Sequence, residues 1–428
     1  MDDNKIIRHQ QFCQLKEAIR GSDQHLIVGI DVAKDTHHAF MGTATGQSLL
    51  RRLIFENNLQ GFSKLMTYVE AVKVQNGLPY SVFGMEPTGN YHKPLGSYLI
   101  NAGHQVVLVS GQAVKNNRSL LDGRWDKNDT KCAANVADLI SQGKCLFYDS
   151  PLEAIVELRN LLSLRRRLKK EEHSLRMRIR NSLLAKHFPE MDRFFGQCLS
   201  DSLSIVYWCL DPKKIAEMEF CRFIELVSTG KSRLVQQRRL KAIWEVAAES
   251  IGCATQRASQ FEAQLLVEKI WQVQKDIKDT QQMIEKVSQQ FAEYHALLTI
   301  PGFGPYVASV VLAVIGDPWR FDSEKQVLRI AGYDLCADRS GQGSSKAIPV
   351  ISKKGNAQLR YGLYQAAFIA STRDIHFVDY YTKILRGRER ERGIKTKMRV
   401  KLAAKMLVIA WSLMKKQEEF NPDFLKQD

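Results

Sequence analysis

The stretch His25-Leu-Ile-Val-Gly-Ile-Asp31 decides the fold of residues 25–150. Its first six residues form a short apolar run that is rich in β-branched side chains and bounded by polar stretches, which predicts a strand. Similar runs follow at Tyr80–Met85 and Gln105–Val109, and a segment with helical character separates these two. Strands that alternate with a helix are typical of a βαβ unit, so the sequence predicts an α/β domain here. Residues 1–24 are polar and are interpreted as an N-terminal extension.

Carboxylates stand where two of these predicted strands end. Asp31 closes the first run, and Glu86 follows the second and is itself followed by turn residues. Burying a lone charge costs several kcal/mol, so such a carboxylate is usually paired or binds a metal. Asp126 and Asp129 are three residues apart at the start of a segment with helical spacing, which would place both on one helix face.

These four acids form the acidic quartet of Asp31, Glu86, Asp126 and Asp129. Two strand-end acids and two helix acids can hold a pair of Mg²⁺ (or Mn²⁺) ions about 3.5–4 Å apart. Such a pair polarises a phosphodiester and stabilises the leaving oxygen. A strand-end acid alone can cap a turn, and an acid pair can be a solvated helix face. We assign the nearby Asp35, Asp122 and Asp138 to such structural or solvated roles, outside the metal site.

The charge of the chain indicates a polyanionic partner. The 428 residues include 62 Lys and Arg against 46 Asp and Glu, a net charge of +16. Lys and Arg displace condensed counterions from phosphates, so nucleic acid is the expected partner. The eight cysteines form no CxxC pair and no zinc-finger spacing. The sequence shows neither a signal peptide nor a long apolar stretch, so we expect a cytoplasmic protein that contacts DNA and no membrane.

Two heptad patterns predict long helices in the middle of the chain, residues 151–292. Leu161, Leu168 and Leu175 are seven apart, and so are Ile270, Ile277, Ile284 and Phe291. We interpret them as an antiparallel coiled-coil pair, with simple helix-bundle packing as the alternative. Residues 190–255 between them are interpreted as a helical insert.

The last predicted domain, residues 293–428, begins with a glycine-containing turn before an apolar helix. Ile300-Pro-Gly-Phe-Gly-Pro305 resembles a helix–hairpin–helix element, in which Gly302 and Gly304 would let the backbone approach phosphates. A tight helix–helix turn without a ligand is the alternative. The sequence therefore predicts a mainly α domain that contacts DNA.

Basic side chains recur through the remainder of that domain, which ends in a basic, helical stretch from Lys383 to Lys416. Within it, the part from Arg386 to Lys401 is interpreted as a basic helix or arm. A charge run is usually a solvated face, but the excess of Arg and the few acids favour contacts to a nucleic-acid backbone. The candidate contact residues are Arg339, Lys346, Lys353, Lys354, Arg388, Arg390, Arg392, Lys395 and Lys397.

Several motifs together resemble the "one-ten" family of insertion-sequence transposases, to which the Piv-type DNA invertases are related. They are GIDVAK at 29–34, MEPTGNYH at 85–92, the DKND run at 126–129 and a Ser-Gly segment followed by Ser352-Lys-Lys-Gly-Asn356. The resemblance implies a ribonuclease-H-like, RuvC-like N-terminal domain whose DEDD metal site is the acidic quartet. The family often has Thr-Asp at the third acid, whereas this chain has Trp125-Asp126.

The same resemblance implies a serine nucleophile in the C-terminal domain. Ser340 matches by position, and Ser344 and Ser345 lie close to it. Arg339, Lys346, Lys353 and Lys354 could stabilise charge that develops on the phosphate. The family also implies donor and target DNA as substrates, a structured noncoding guide RNA as a partner, and coiled-coil helices that serve assembly into a homodimer or homotetramer.

The expected function is therefore a DNA transposase or site-specific recombinase that cuts and rejoins strands. A RuvC-like junction resolvase is a second reading, which needs the acidic quartet but not Ser340. A non-catalytic DNA-binding protein is a third reading, and the four intact acids argue against it.

Overall fold

The computed structural model describes residues 3–122, 129–148, 151–196, 199–228, 234–336 and 350–426. The chain forms two compact units, residues 1–150 and residues 151–428. The N-terminal unit is mixed α/β and the C-terminal unit is mostly helical, as the sequence predicts. No helix in the described ranges is long and apolar enough to cross a membrane.

One six-stranded sheet organises the N-terminal unit. Its strands are β1 (His25–Asp31), β2 (Thr36–Thr43), β3 (Ser48–Glu56), β4 (Tyr80–Met85), β5 (Gln105–Leu108) and β6 (Leu146–Phe147). They lie in the order β3-β2-β1-β4-β5-β6. Strands β1, β4 and β5 are parallel to one another, whereas β2, β3 and β6 each pair antiparallel with a neighbour.

Helices cover both faces of this sheet. They are α1 (Asp3–Ala18), α2 (Leu59–Asn76), α3 (His92–Asn101), α4 (Gly111–Asp122) and α5 (Asp129–Ser141). Leu26 and Val28 of β1 belong to the core with α2 and α3, whereas Ile27 belongs to the core with α4 and α5. A strand buried on both faces is apolar throughout, which explains the continuous apolar run of β1. Residues 1–24, which the sequence assigns to an N-terminal extension, contribute Leu15 and Ile19 to the core with α4 and α5.

The C-terminal unit begins with a helical region that the sequence assigns to long helices and an insert. Its helices are α6 (Glu153–Arg178), α7 (Ala185–His187), α8 (Asp192–Phe195), α9 (Leu199–Trp208), α10 (Pro212–Glu217), α11 (Phe220–Val227), α12 (Leu234–Ala247) and α13 (Arg257–Ser288). A π-helical turn at Ile179–Leu184 joins α6 to α7, and a 3₁₀ turn at Pro189–Met191 precedes α8.

Helices α6 and α13 pack antiparallel. Arg178 at the end of α6 lies 2.6 Å from Glu262 near the start of α13, and Glu172 accepts a hydrogen bond from Gln274 in the middle. The buried residues of α13 recur at alternating intervals of three and four. They include Ala263, Leu266, Ile270, Val273, Ile277, Thr280, Ile284 and Val287. The pairing agrees with the predicted heptads, and its description as a coiled coil stays a prediction.

The helices between α6 and α13 have a core of their own. Phe188, Phe195, Leu203, Phe223 and Ile243 are buried together in it, along with residues from the start of α13. A buried ion pair between Asp201 and Arg239 joins α9 to α12. The insert is therefore a packed helical subdomain and not a loose loop.

The remainder of the unit is a helical core with a small hairpin. Its helices are α14 (Ala292–Leu298), α15 (Pro305–Ile315), α16 (Glu324–Ala331), α17 (Ala357–Arg373), α18 (Ile375–Leu385) and α19 (Ile394–Lys416). Its two strands are β7 (Leu335–Cys336) and β8 (Val350–Ile351), and 3₁₀ turns lie at Pro318–Arg320 and Pro422–Leu425. Buried side chains of α15, α17 and α19, such as Leu312, Leu363 and Leu407, form the centre of the core.

Candidate functional site

Two acids of the quartet lie at one edge of the N-terminal sheet. Strands β1 and β4 are adjacent and parallel, with Ile30 opposite Met85. Asp31 follows Ile30 and Glu86 follows Met85, so both acids lie at the carboxyl edge of the sheet. Both are half-buried. Strand ends meet at this edge in parallel sheets, which makes it a common place for ligand sites.

Helix α5 brings a third acid to the same edge. A Cβ atom added to Gly29 of β1 would lie 2.3 Å from the carbonyl oxygen of Ala133 and 2.6 Å from the amide nitrogen of Ala137. Only glycine therefore lets the backbone of α5 rest directly on β1. Asp129 begins α5 one turn before Ala133, and its carboxylate is exposed.

His38 joins Asp129 to the strand that carries Asp31. It is the cross-strand partner of Asp31, and its Nε2 atom lies 3.4 Å from Oδ2 of Asp129. The side chain of His38 is 14% exposed, whereas that of Asp129 is 60% exposed. A half-buried imidazole can therefore orient an exposed carboxylate at the edge of the sheet.

The neighbouring His37 points to the opposite face of β2, as successive residues of a strand do. It is fully buried between the rings of Phe55 and Phe62. Burial lowers the pKa of His37, so this imidazole is a neutral part of the core.

The carboxylate of Glu86 fits against a second glycine. A Cβ atom added to Gly111, the first residue of α4, would lie 2.6 Å from Oε1 of Glu86. The absence of a side chain at Gly111 leaves room for this carboxylate beside the N-terminus of α4. Free N–H groups and the helix dipole favour a negative charge there.

The set of donors fits Mg²⁺, which prefers carboxylate oxygens, and the room at Gly111 is consistent with an arranged site. Within the described ranges, no three His, Cys, Asp or Glu side chains are grouped closely enough to hold a metal by themselves. Asp126 lies outside those ranges. A metal held by the complete quartet therefore stays a prediction.

Asp138 has a structural role instead. Its Oδ2 atom accepts hydrogen bonds from Asn117 of α4 at 2.6 Å and from Gln142 at 2.8 Å. Asn117 also donates to Asn135, which in turn donates to the carbonyl of Val114. This buried network holds α4 against α5 and leaves the Asp138 carboxylate with protein partners, in line with its assignment outside the quartet.

The structure describes the residues on either side of the segment that contains the candidate serine. Ser340, Ser344, Ser345, Arg339 and Lys346 lie outside the described residues. Strands β7 and β8 flank this segment and pair antiparallel.

The turn after β8 carries two of the candidate basic residues. Ser352 donates a hydrogen bond to Asp334 at 2.6 Å. Lys353 and Lys354 follow with exposed side chains. Lys353 has a left-handed backbone conformation, φ 55°. Beyond them, Gly355 packs closely against Gly332. A Cβ atom added to Gly355 would lie 2.4 Å from the backbone nitrogen of Gly332.

Gly302 and Gly304 differ in their surroundings. Gly302 has φ 87°, and an added Cβ would lie 2.4 Å from the carbonyl oxygen of Ala366 in α17. This glycine is therefore required by helix packing. Around Gly304, which precedes α15, an added Cβ meets no described atom within 4 Å, so its backbone is open to a ligand.

The basic stretch 383–416 is not one helix. Helix α18 ends at Leu385, and α19 begins at Ile394. Gly387 and Gly393, with φ 81° and 76°, lie between the two helices, and a positive φ interrupts helical geometry there. Arg388 forms a bidentate ion pair with Glu391 at 2.8 Å. Four other candidate contact residues are exposed, namely Arg390, Arg392, Lys395 and Lys397.

Comparisons with known proteins match the same family in both units. A family model of DEDD transposases named for IS110, described as "Transposase", matches residues 28–189. A second model, described as "Transposase IS116/IS110/IS902 family", matches residues 294–382. Together they cover more than half of the chain.

Curated relatives match over nearly their whole length. An IS116 insertion-element protein of Streptomyces clavuligerus is 24% identical over 92% of this chain and 96% of its own. A pilin gene-inverting protein of Moraxella bovis is 22% identical over 92% and 97%. The transposase of insertion sequence IS1111A from Coxiella burnetii is 22% identical over 98% of both chains. The chain belongs to the IS110 family of insertion-sequence transposases.

Proposed function

We propose that this protein cuts and rejoins DNA strands, with the acidic quartet as a divalent-metal site. The observation that carries the proposal is the convergence of Asp31, Glu86 and Asp129 on one edge of the sheet. The strand order β3-β2-β1-β4-β5 and its mixture of directions support a ribonuclease-H-like, RuvC-like architecture. Bound Mg²⁺ would polarise the scissile phosphate and stabilise the leaving oxygen.

The protein residues at this edge prepare the site. Gly29 allows the backbone of α5 to pack closely against β1, and His38 holds Asp129 toward the strand that carries Asp31. Gly111 leaves room for Glu86. Four carboxylates with nothing bound would repel one another, so they favour a cation between them.

We further propose that Ser340 supplies the nucleophile. Its Oγ would bond to the phosphorus and displace the oxygen of the broken strand, which leaves with a proton. Lys353 and Lys354 have exposed side chains shortly after β8, as a role in stabilising the phosphate charge requires. Open backbone at Gly304 supports a phosphate contact before α15.

The charge distribution supports a large polyanionic partner, which we propose to be donor and target DNA together with a structured guide RNA. Residues 1–150 contain 16 Lys and Arg against 14 Asp and Glu, whereas residues 151–428 contain 46 against 32. The net charges are therefore +2 and +14. Nucleic acid that co-purifies with the protein should, when sequenced, contain one recurrent structured RNA.

Two substitutions test the chemistry. Asp31→Asn should abolish DNA cleavage in Mg²⁺, whereas Asp35→Asn, an exposed acid after the same strand, should leave it unchanged. Ser340→Ala should abolish strand exchange. If the Ser340→Ala variant still cut DNA junctions, the protein would be a resolvase, and if Asp31→Asn still recombined DNA, the quartet would not be the metal site.

A further inference from the structure

Helix α17 has one buried side and one exposed aromatic side. Leu359, Leu363 and Ala367 are buried in the core of the C-terminal unit. On the exposed side, Tyr361 is 65% exposed and Phe368 is 44% exposed. These two rings are seven residues apart, which is two turns, so they share one face of the helix.

An arginine from α19 lies on this face. The guanidinium of Arg399 stands over the ring of Phe368 at 4.5 Å and is 5.7 Å from the ring of Tyr381. Its Nε atom is buried and has no hydrogen-bond partner among the described atoms. We call Tyr361, Phe368 and Arg399 the aromatic face. A guanidinium stacked on a ring extends the flat π surface and adds a positive charge.

The surroundings of the aromatic face are strongly basic. Residues 353–416 contain 16 Lys and Arg against four Asp and Glu. The first turn of α19 carries no acid, and its Lys395 and Lys397 are exposed. Cations at a helix N-terminus oppose the helix dipole, so this arrangement favours an anionic partner.

Three of the four acids in this segment already have partners. Asp374 caps α18 by accepting from the amides of His376 and Phe377. Glu391 is paired with Arg388, and Glu389 accepts from the amide of Gly387. Glu391 is neutralised by its ion pair, and the remaining acids are greatly outnumbered by Lys and Arg, so the segment keeps a net positive charge that attracts a polyanion.

A ligand for this surface needs negative charges together with flat apolar faces. Unpaired nucleotides provide both, since each has a phosphate and a base whose π face can stack on an aromatic side chain. The bases of a duplex are stacked on one another and expose only their edges. We propose that the aromatic face binds unpaired nucleotides of DNA or RNA by base stacking. This inference rests on the proposed nucleic-acid function of the protein and names the form of nucleic acid that this surface takes.

The test compares single strands with a duplex. The full-length protein is titrated against a fluorescently labelled unstructured DNA strand, an RNA strand of the same sequence and the DNA duplex, each at several salt concentrations. Tyr361→Ala and Phe368→Ala should each weaken single-strand binding by about tenfold and leave duplex binding unchanged. The slope of log Kd against log salt should not change, because no phosphate contact is lost.

Two controls separate stacking from charge and from surface tyrosines in general. Lys397→Ala should weaken binding of single strand and duplex alike and should reduce the salt slope by about one unit. Tyr68→Ala removes a tyrosine that is 43% exposed on α2 of the other unit and should change neither. Thermal unfolding of all variants should match that of the parent protein.

The outcomes distinguish this inference from the proposed function. If Tyr361→Ala and Phe368→Ala leave single-strand affinity intact, or weaken duplex binding equally, the stacking site is wrong while DNA binding stands. A change in oligomeric state without a change in nucleic-acid affinity would make the face a protein interface and also overturn the inference. Failure of the parent protein to bind any nucleic acid would contradict the proposed function itself.

Discussion

Gly111 determines whether the Glu86 carboxylate can lie at the N-terminus of α4. Gly111→Ala would place a methyl group 2.6 Å from the present position of Oε1 and displace the carboxylate. Alanine is the better helix former by about 0.5–1 kcal/mol, so the substitution should not destabilise the fold. We expect Mg²⁺-dependent cleavage to fall at least about tenfold at unchanged or higher melting temperature. Glu86→Gln should produce the same loss, and full activity of Gly111→Ala would contradict the placement of Glu86.

His38 is the second residue whose role can be measured directly. His38→Ala removes the imidazole whose Nε2 atom lies 3.4 Å from Oδ2 of Asp129, so this acid would no longer be held toward β1. Residues that orient metal ligands typically contribute about 10–100-fold in metal affinity. We therefore expect Mn²⁺ binding, followed by calorimetry or electron paramagnetic resonance, to weaken at least about tenfold. His38→Gln keeps an N–H donor and should recover part of the affinity.

His25 provides the matched control for His38. It begins β1 at the opposite edge of the sheet, where its ring stacks on Tyr80. His25→Ala should leave Mn²⁺ affinity unchanged. Equal Mn²⁺ affinity in the parent protein and the His38→Ala variant would show that His38 does not orient Asp129.

The position of Asp31 and Glu86 at the sheet edge could be predicted from the sequence, whereas the residues around them could not. Asp31 and Glu86 could be predicted because a carboxylate directly after an apolar strand has no place in a core. His38 could not, because its position opposite Asp31 depends on the register of the β1–β2 pairing. The alternation of His37 and His38 along a strand was the available signal. The role of Gly111 could not be predicted either. It depends on which helix begins beside Glu86, and tertiary packing determines that.

At the scale of elements, Gly302 and Gly304 have different expected roles. Gly302 is needed for helix packing, whereas Gly304 is open to a ligand. Gly302→Ala places a side chain on a backbone with φ 87°, and the new methyl group would collide with the carbonyl oxygen of Ala366. A left-handed backbone and overpacking each cost about 1–3 kcal/mol, so the melting temperature should fall clearly. Gly304→Ala meets no described neighbour and should retain the parent stability. If Gly302→Ala unfolded at the parent temperature, the close approach to α17 would be wrong.

The elements show where periodicity was sufficient and where it was not. The antiparallel pairing of α6 with α13 followed from heptads, because a regular apolar stripe needs a partner helix. The charge pattern of 386–401 leaves a helix and an arm both open, and the glycines Gly387 and Gly393 are the signal for the break that lies between α18 and α19. The insert is helical, as its sequence predicts. Its sequence does not indicate that its core also includes buried residues from the start of α13.

For the whole molecule, charge and acid chemistry are divided between the units. The N-terminal unit carries three described members of the quartet at a net charge of +2, and the C-terminal unit carries +14. Counterion release makes affinity for DNA depend on the number of basic contacts. The C-terminal unit should therefore dominate binding, and the metal dependence that we propose should reside in the N-terminal unit.

Expression of the units as separate fragments tests this division. Each unit has its own buried cores, so residues 1–148 and 151–428 should each unfold cooperatively. The C-terminal fragment should keep most of the duplex affinity and salt dependence of the full chain, because it keeps nearly all of the net positive charge. The N-terminal fragment should bind DNA weakly. The opposite result, with the salt dependence kept by the N-terminal fragment and lost by the C-terminal fragment, would show that the C-terminal unit does not carry the phosphate contacts, because these contacts determine the salt slope.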